Sequence, residues 1–141
     1  MISSLRRFTR NCYPGVLCAA VILLLTGLPG SCIPKVKPAL GLDKIAHLLM
    51  YAGFAFATLW GYRELFQQQG ARYRRKACWL TLLISIVFGA LTEIMQEAFV
   101  PGRIGSVYDW IADLIGSILG VVLFYFLYRN RNNLPKETFC K

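Results

Sequence analysis

Acidic and histidine side chains are scarce in this chain of 141 residues, which has seven Asp and Glu residues and one histidine. A single histidine with scattered carboxylates forms no zinc pattern, and the spacing of the five cysteines matches none either. We therefore predict no metal and no cofactor. The sequence also lacks an internal repeat, a second domain and a basic module interleaved with aromatic residues. Its net charge of +9 therefore does not indicate nucleic-acid binding.

Apolar sequence, in contrast, is abundant: 56% of the residues are hydrophobic and the mean hydropathy is +0.49. These residues gather into four runs separated by charged connectors. Each run is long enough to cross a bilayer, which takes a helix of about 20 residues. So short a chain could not cover four such runs as core helices. The sequence therefore predicts an all-α fold, a four-transmembrane-helix bundle with spans near 13–30, 45–62, 77–100 and 110–128.

The basic residues indicate how this bundle is oriented. Twelve of the sixteen precede the first run, separate the second run from the third, or follow the fourth, and four lie at the other end. Because cytoplasmic loops carry the excess of Lys and Arg, we expect both termini in the cytoplasm. We divide the chain into a cytoplasmic basic N-terminus (1–12), a four-helix transmembrane domain (13–128) and a polar C-terminal tail (129–141).

Local signals in the first run and in two connectors refine this picture. We expect the first run to be a retained helix rather than a cleaved signal peptide. Asp43 follows a proline-containing, extended connector and can cap the second helix, because its carboxylate accepts a first-turn N–H. The connector RELFQQQGARYRRK (63–76) is expected to prolong the second helix and to turn near Gly70.

Polar side chains occur within about two turns of the outer surface on three of the helices. Residues spaced by three or four share a helix face. Three such sets occur: Asp43, His47 and Tyr51; Glu93, Gln96 and Glu97; Asp109 and Asp113. Ionisable groups inside a membrane are costly, so they normally face a bundle interior and pair there. We therefore predict an outward-facing polar pocket, in which Lys44, His47 and Arg103 are the partners of the acids.

This pocket supplies the candidate site residues. The predicted ligand-binding residues are Lys44, His47, Tyr51, Glu93, Gln96, Arg103, Asp109 and Asp113, and the catalytic candidates among them are Glu93, His47 and Asp109. The local acids, with Asp43 and Glu97 included, exceed Lys44 and Arg103 by three. At least one carboxyl is therefore expected to keep its proton. Polar side chains also join membrane helices through interhelical hydrogen bonds, so a purely structural role remains the alternative.

Gly116 and Gly120 form a pair of small residues one helical turn apart in the fourth run. Small residues let helix backbones approach closely. The pair indicates either packing within the chain or a homodimer through the Gly116/Gly120 face.

The segments DKIAHLLMY (43–51), TEIMQEAFVPGR (92–103) and SVYDWIADLIGSILG (106–120) together resemble the VanZ-like family of small bacterial membrane proteins. The matching positions are Asp43, Lys44, His47, Tyr51, Glu93, Gln96, Arg103, Asp109 and Gly116, with Gly120 continuing the pattern. One departure is Asp113, where the family often has Asn. The resemblance implies a four-helix, multi-pass protein of the bacterial inner (plasma) membrane and cell envelope. It also implies a link to resistance to the glycopeptide antibiotic teicoplanin.

Three hypotheses for the function follow. The first is a binding protein whose pocket holds a membrane-lipid head group, a lipid-linked cell-wall precursor or part of a glycopeptide, with Lys44 and Arg103 on a phosphate or carboxylate. The second is a membrane-embedded enzyme for a lipid-linked substrate, with Glu93 as general base. A divalent cation held by the carboxylates and His47 is a variant of it. The third, a proton-linked transporter subunit, is less favoured because nothing ionisable continues inward from Glu93.

Overall fold

The computed structural model describes residues 2–28, 41–101 and 105–129. Within these ranges all regular secondary structure is helical, which confirms the all-α prediction. The helices are α1 (Ile2–Thr26), α2 (Leu42–Gly61), α3 (Arg63–Gln68), α4 (Ala71–Phe99) and α5 (Val107–Arg129). The four long helices correspond to the four apolar runs, and α4 begins six residues before its run because the basic segment 71–76 is helical as well.

The long helices alternate in direction along the chain. α2 and α5 begin at the same end of the molecule, where Lys44 of α2 contacts Asp109 of α5. α1 and α4 end there, since the Gln96 side chain of α4 donates a hydrogen bond to the carbonyl of Thr26 in α1. We call this end, where α2 and α5 begin, the polar end. The opposite end holds α3 and the basic start of α4, and we call it the basic end.

α2 and α5 form the central pair, and they are the most extensively packed pair of helices in the described structure. Gly116 and Gly120 allow this approach. A Cβ added at Gly116 would meet the carbonyl oxygen of Leu48, and one at Gly120 would meet that of Ala52. The two glycines therefore pack within the chain, against the backbone of α2. A homodimer through their face stays a prediction that a single chain does not test.

An aromatic core closes the basic end. α2 ends at Gly61, and the chain turns at Tyr62 into the separate helix α3. The prediction that this connector prolongs the second helix was therefore wrong. The turn lets Phe66 fold back and become fully buried against Phe124 of α5, with ring centroids 5.1 Å apart. The second turn falls at Gly70 as predicted, because this residue precedes α4.

The start of α2 differs from the sequence prediction. The N-cap residue is Gly41, whose φ of 59° and ψ of 31° are left-handed, a conformation that glycine adopts without strain. No side chain caps this helix, so the prediction that Asp43 is the cap was wrong. Asp43 instead lies exposed in the first turn, where its negative charge is favourable at the positive end of the helix dipole.

Two of the described helices are long and apolar enough to cross a membrane on their own, α4 and α5. In the most apolar 18-residue stretch of each helix, only 28% (α4) and 39% (α5) is buried, whereas the core helix of a soluble domain is mostly buried. α2 has Asp43, Lys44 and His47 near its start, and the apolar part of α1 (Asn11–Thr26) is shorter. Large apolar side chains are also exposed along α1, for example Leu24, which is 72% exposed. These features are compatible with a membrane protein.

A mostly apolar cavity of about 590 Å³ lies between α1 and α4, with part of its wall from α2. It exists because α1 and α4 make few contacts with each other. Its lining runs from Phe88 and Phe54 to Tyr62 and Lys76, which places it toward the basic end. The cavity is therefore separate from the polar side chains described next.

Candidate functional site

The polar end brings together the side chains predicted to share a pocket. Six of them are buried and come from three helices: His47 and Tyr51 from α2, Glu93 and Gln96 from α4, and Asp109 and Asp113 from α5. They meet because α2 and α5 begin at this end while α4 ends here. The faces inferred from spacing of three or four residues point inward at these six positions, between the helices.

His47 lies at the centre of the group. Its Nδ1 is 3.0 Å from Oδ1 of Asp113 and 3.8 Å from Oε1 of Glu93. One imidazole therefore faces two carboxylates from two other helices, and all three residues are buried. We call His47, Glu93 and Asp113 the buried triad.

Glu93 also connects α4 to the start of α5. Its second oxygen, Oε2, accepts a hydrogen bond of 2.8 Å from the backbone N–H of Ser106. Ser106 directly precedes α5, and its carbonyl accepts the backbone N–H groups of Asp109 and Trp110. The carboxylate thus binds a backbone donor at a helix N-terminus, where negative charge is favourable.

Two carboxylate oxygens of the buried triad lack a hydrogen-bond partner within the described part of the chain. They are Oε1 of Glu93 and Oδ2 of Asp113. Glu93 is 8% exposed and Asp113 is 1% exposed. A buried polar atom without a partner carries an energetic penalty, and for a charged group the penalty is larger. The triad is therefore not fully satisfied by the helices around it.

Lys44 lies at the solvent-facing edge of the group. Its Nζ is 2.9 Å from Oδ1 of Asp109, and its side chain is 49% exposed while that of Asp109 is 10% exposed. The ammonium also lies 5.9 Å from the ring centroid of Tyr108. Lys44 therefore presents a positive charge at the exposed edge of the group of buried acids.

Tyr51 and Gln96 have partners inside the fold. The hydroxyl of Thr92 donates to the carbonyl of Gly89, so the Tyr51 hydroxyl, 2.8 Å from the Thr92 oxygen, donates to Thr92. Gln96 donates to the Thr26 carbonyl at 3.3 Å. These two contacts join α2 to α4 and α4 to α1, and they are the kind of interhelical bond expected of a structural role.

Gly89 makes room for the triad. A Cβ at this position would lie 3.2 Å from Oδ2 of Asp113 and 3.2 Å from a ring carbon of Trp110. The sequence prediction missed this contribution, as well as the Thr92 hydroxyl and the Ser106 amide. Gly89 lies four residues before Glu93 and Thr92 four residues before Gln96, on the buried side of α4, so their spacing carries a weak signal. A backbone amide carries none.

Two predicted participants are not buried. Asp43 and Glu97 are exposed, although a carboxylate oxygen of Asp43 lies within 4.8 Å of candidate ligand atoms of His47 and Asp109. Arg103 lies outside the described residues, so the pairing predicted for it stays a prediction. Of the bases that were predicted to partner the acids, Lys44 and His47 do so.

Comparisons with known proteins identify the family. No curated protein and no solved structure matched the chain. A family model described as VanZ/LLP1 matches residues 7–128, a range that includes all four long helices nearly in full and every buried residue of the polar end. This chain therefore belongs to the VanZ/LLP1 family.

Proposed function

We propose that this protein crosses the bacterial inner membrane with four helices and binds, at an outward-facing polar end, the phosphate-bearing head group of an envelope lipid. The observation that carries the proposal is the buried triad with its two unpartnered carboxylate oxygens. The Tyr51 and Thr92 hydroxyls, which join α2 to α4, are paired with each other. Unpartnered acceptors instead favour a ligand that supplies donors.

The distribution of charge supports the outward orientation. The described basic residues away from the polar end lie at the start of α1, around α3, at the start of α4 and at the end of α5: Arg6, Arg7, Arg10, Arg63, Arg72, Arg74, Arg75, Lys76 and Arg129. A cytoplasmic location for this basic end agrees with the positive-inside rule. The polar end then opens to the outer surface, where envelope precursors and glycopeptides are present.

The arrangement also favours a particular kind of head group. Lys44 is half exposed and can shift from Asp109 to a phosphate, which it would bind as a compact positive charge. The carboxylates behind it accept hydrogen bonds from hydroxyl or ammonium groups on the same head group. Both membrane phospholipids and lipid-linked cell-wall precursors carry this combination of phosphate and donors. Nothing in the described residues favours the enzymatic alternative with Glu93 as general base.

Lipid retention tests the proposal. Purified protein is incubated with phosphatidylethanolamine, phosphatidylglycerol or phosphatidylcholine, and bound lipid is counted by native mass spectrometry. We expect wild type to retain phosphatidylethanolamine better than phosphatidylcholine. In Lys44→Gln and Glu93→Gln we expect the ratio of retained phosphatidylethanolamine to phosphatidylcholine to fall about tenfold, which corresponds to about 1.4 kcal/mol. Leu91→Ala is the control, because Leu91 is 57% exposed on the same helix as Glu93. Equal retention of all three lipids by every variant would contradict head-group binding.

We further propose that head-group binding contributes to resistance to teicoplanin-type glycopeptides. In a sensitive host we expect wild type and Leu91→Ala to raise the inhibitory concentration of teicoplanin, and Glu93→Gln to leave it at the level of the empty vector. Membrane levels of the variants are matched by immunoblot. No difference between wild type and empty vector at good expression would reject this role.

A further inference from the structure

We propose that His47, Glu93 and Asp113 form a binding site for a divalent transition-metal ion, Zn²⁺ or Mn²⁺. The inference goes beyond head-group binding and does not depend on it. The sequence predicted no metal and offered a divalent cation only as a variant of the enzyme hypothesis, because the three residues come from three helices and form no metal-binding motif.

The three side chains lie close enough together to share one metal ion. One candidate ligand atom from each residue lies within 4.8 Å of the other two. The Nδ1 of His47 is 3.0 Å from Oδ1 of Asp113 and 3.8 Å from Oε1 of Glu93. Ligands at about 2.1 Å from Zn²⁺ in a tetrahedron are roughly 3.4 Å apart. Each of the two measured separations needs a change of only about 0.4 Å to match.

The second observation is independent of the distances. Oε1 of Glu93 faces His47, is buried, and accepts no hydrogen bond from any described residue. The other oxygen of this carboxylate is held by the Ser106 amide, so the side chain is fixed with a free acceptor directed into the triad. A coordinated cation would satisfy this atom. Outer contacts of the Ser106 kind are what orient metal ligands in known sites.

Charge balance points the same way. Two carboxylates and a neutral imidazole bury a charge of about −2, which a low-dielectric interior strongly disfavours. Lys44 lies three residues before His47 in the sequence, but its ammonium pairs with Asp109 and not with the triad. A divalent ion bound by the triad neutralises this charge. Protons on His47 and on one carboxyl would do so as well, and the experiment distinguishes the two.

The donor set favours transition metals over the alkaline-earth ions. Imidazole suits Zn²⁺ and related ions, and carboxylates accept Zn²⁺ and Mn²⁺, whereas Mg²⁺ and Ca²⁺ prefer oxygen-only sites. Three protein ligands also leave a fourth position open. A water molecule or a phosphate oxygen of a head group can occupy that position.

Metal titration of the full-length protein in detergent tests the site. The protein is stripped with a chelator, and binding of Mn²⁺, Zn²⁺ and Mg²⁺ is measured by calorimetry and elemental analysis. Mn²⁺ is included because the five cysteines bind it poorly. We expect one Mn²⁺ or Zn²⁺ per chain, with Mg²⁺ at least tenfold weaker, and an increase in the thermal unfolding midpoint when the metal binds.

Variants make the result specific to the triad. His47→Ala and Glu93→Gln should weaken Mn²⁺ binding by at least about tenfold, the loss that follows even from changing an outer-shell partner. Glu97→Gln is the matched control, because Glu97 is exposed one turn beyond Glu93 on the same helix and belongs to no triad. Circular dichroism confirms that each variant is folded. Wild type that binds no Mn²⁺ or Zn²⁺, or binding that Glu93→Gln leaves unchanged, would overturn the metal site and favour protons as the neutralising charge. Lipid retention is measured separately, so head-group binding can survive that result.

Discussion

At the scale of single residues, Glu93 combines two different contacts. Its Oε2 accepts the Ser106 amide and holds α5 in place, while its Oε1 faces His47 without a hydrogen-bond partner among the described residues. Tyr51 contrasts with Glu93 because the Tyr51 hydroxyl is paired with Thr92. The two residues were predicted to line the same pocket, but their hydrogen bonding separates a candidate ligand from a structural contact.

Tyr51→Phe tests this distinction. The change removes one buried hydrogen bond to Thr92 and leaves the Thr92–Gly89 bond in place. Interhelical hydrogen bonds in membrane proteins average about 0.6 kcal/mol. We expect Tyr51→Phe to lower the unfolding free energy by about 0.5–1 kcal/mol in denaturant titrations in mixed micelles, with lipid and metal binding unchanged. Loss of either binding activity in a stably folded Tyr51→Phe protein would place Tyr51 in the site instead.

The sequence predicts these residues unequally, for physical reasons. Ionisable residues in an apolar run are conspicuous, so His47, Glu93 and Asp113 could each be identified as candidates from their positions in the four runs. Which acid pairs with which base could not be predicted, because helix rotation and side-chain reach decide it. Asp43 and Glu97 share the spacing of the buried residues, yet both are exposed, so spacing alone does not show which residues of a face are buried.

At the scale of helices, the contact between α2 and α5 determines the site. It places His47 beside Asp113 and Lys44 beside Asp109, and in both pairs the α5 residue is 65 or 66 positions further along the chain. Gly116 and Gly120 set the distance between the two backbones. The sequence indicated close packing at these glycines but not the partner helix, because a small residue favours any close backbone.

Gly120→Ala tests that contact. The new Cβ would clash with the backbone of Ala52. A flexible side chain at this place could move aside, but the backbone of α2 cannot. We expect a loss of about 1–3 kcal/mol in unfolding free energy, typical of overpacking, together with weaker metal binding as the triad separates. Gly53→Ala on α2 is the control, since nothing lies within 4 Å of its added Cβ. Equal stability of the two variants would contradict the observed packing.

At the scale of the whole molecule, the alternation of the four long helices separates a polar end from a basic end. Composition predicts helices and charge distribution predicts their orientation, since both depend on residue counts along the chain. The turn between α2 and α3 was not predicted, because it depends on Phe66 reaching the aromatic core at Phe124. Long-range packing of this kind has no local signature.

Labelling of single cysteines tests the proposed orientation. In a variant without native cysteines, Gln69→Cys reports on the connector at the basic end and Val107→Cys on the polar end, and both positions are exposed. We expect a membrane-impermeant maleimide to label Val107→Cys in intact cells and Gln69→Cys only after the cells are opened, a difference of about tenfold or more. The reverse labelling pattern would show that the protein has the opposite orientation, with the polar end facing the cytoplasm.

The unfolding free energy of Glu93→Gln, measured without metal or added lipid, tests most directly whether the buried triad is a binding site rather than a contact that holds helices together. Glutamine keeps an oxygen that can accept the Ser106 amide, and it replaces the unpartnered Oε1 by an uncharged amide group. We expect stability equal to wild type or up to about 2 kcal/mol higher, because an incompletely paired buried charge opposes folding. A loss of about 3–5 kcal/mol, as when a buried ion pair is broken, would show that Glu93 mainly stabilises the fold and would contradict the proposed site.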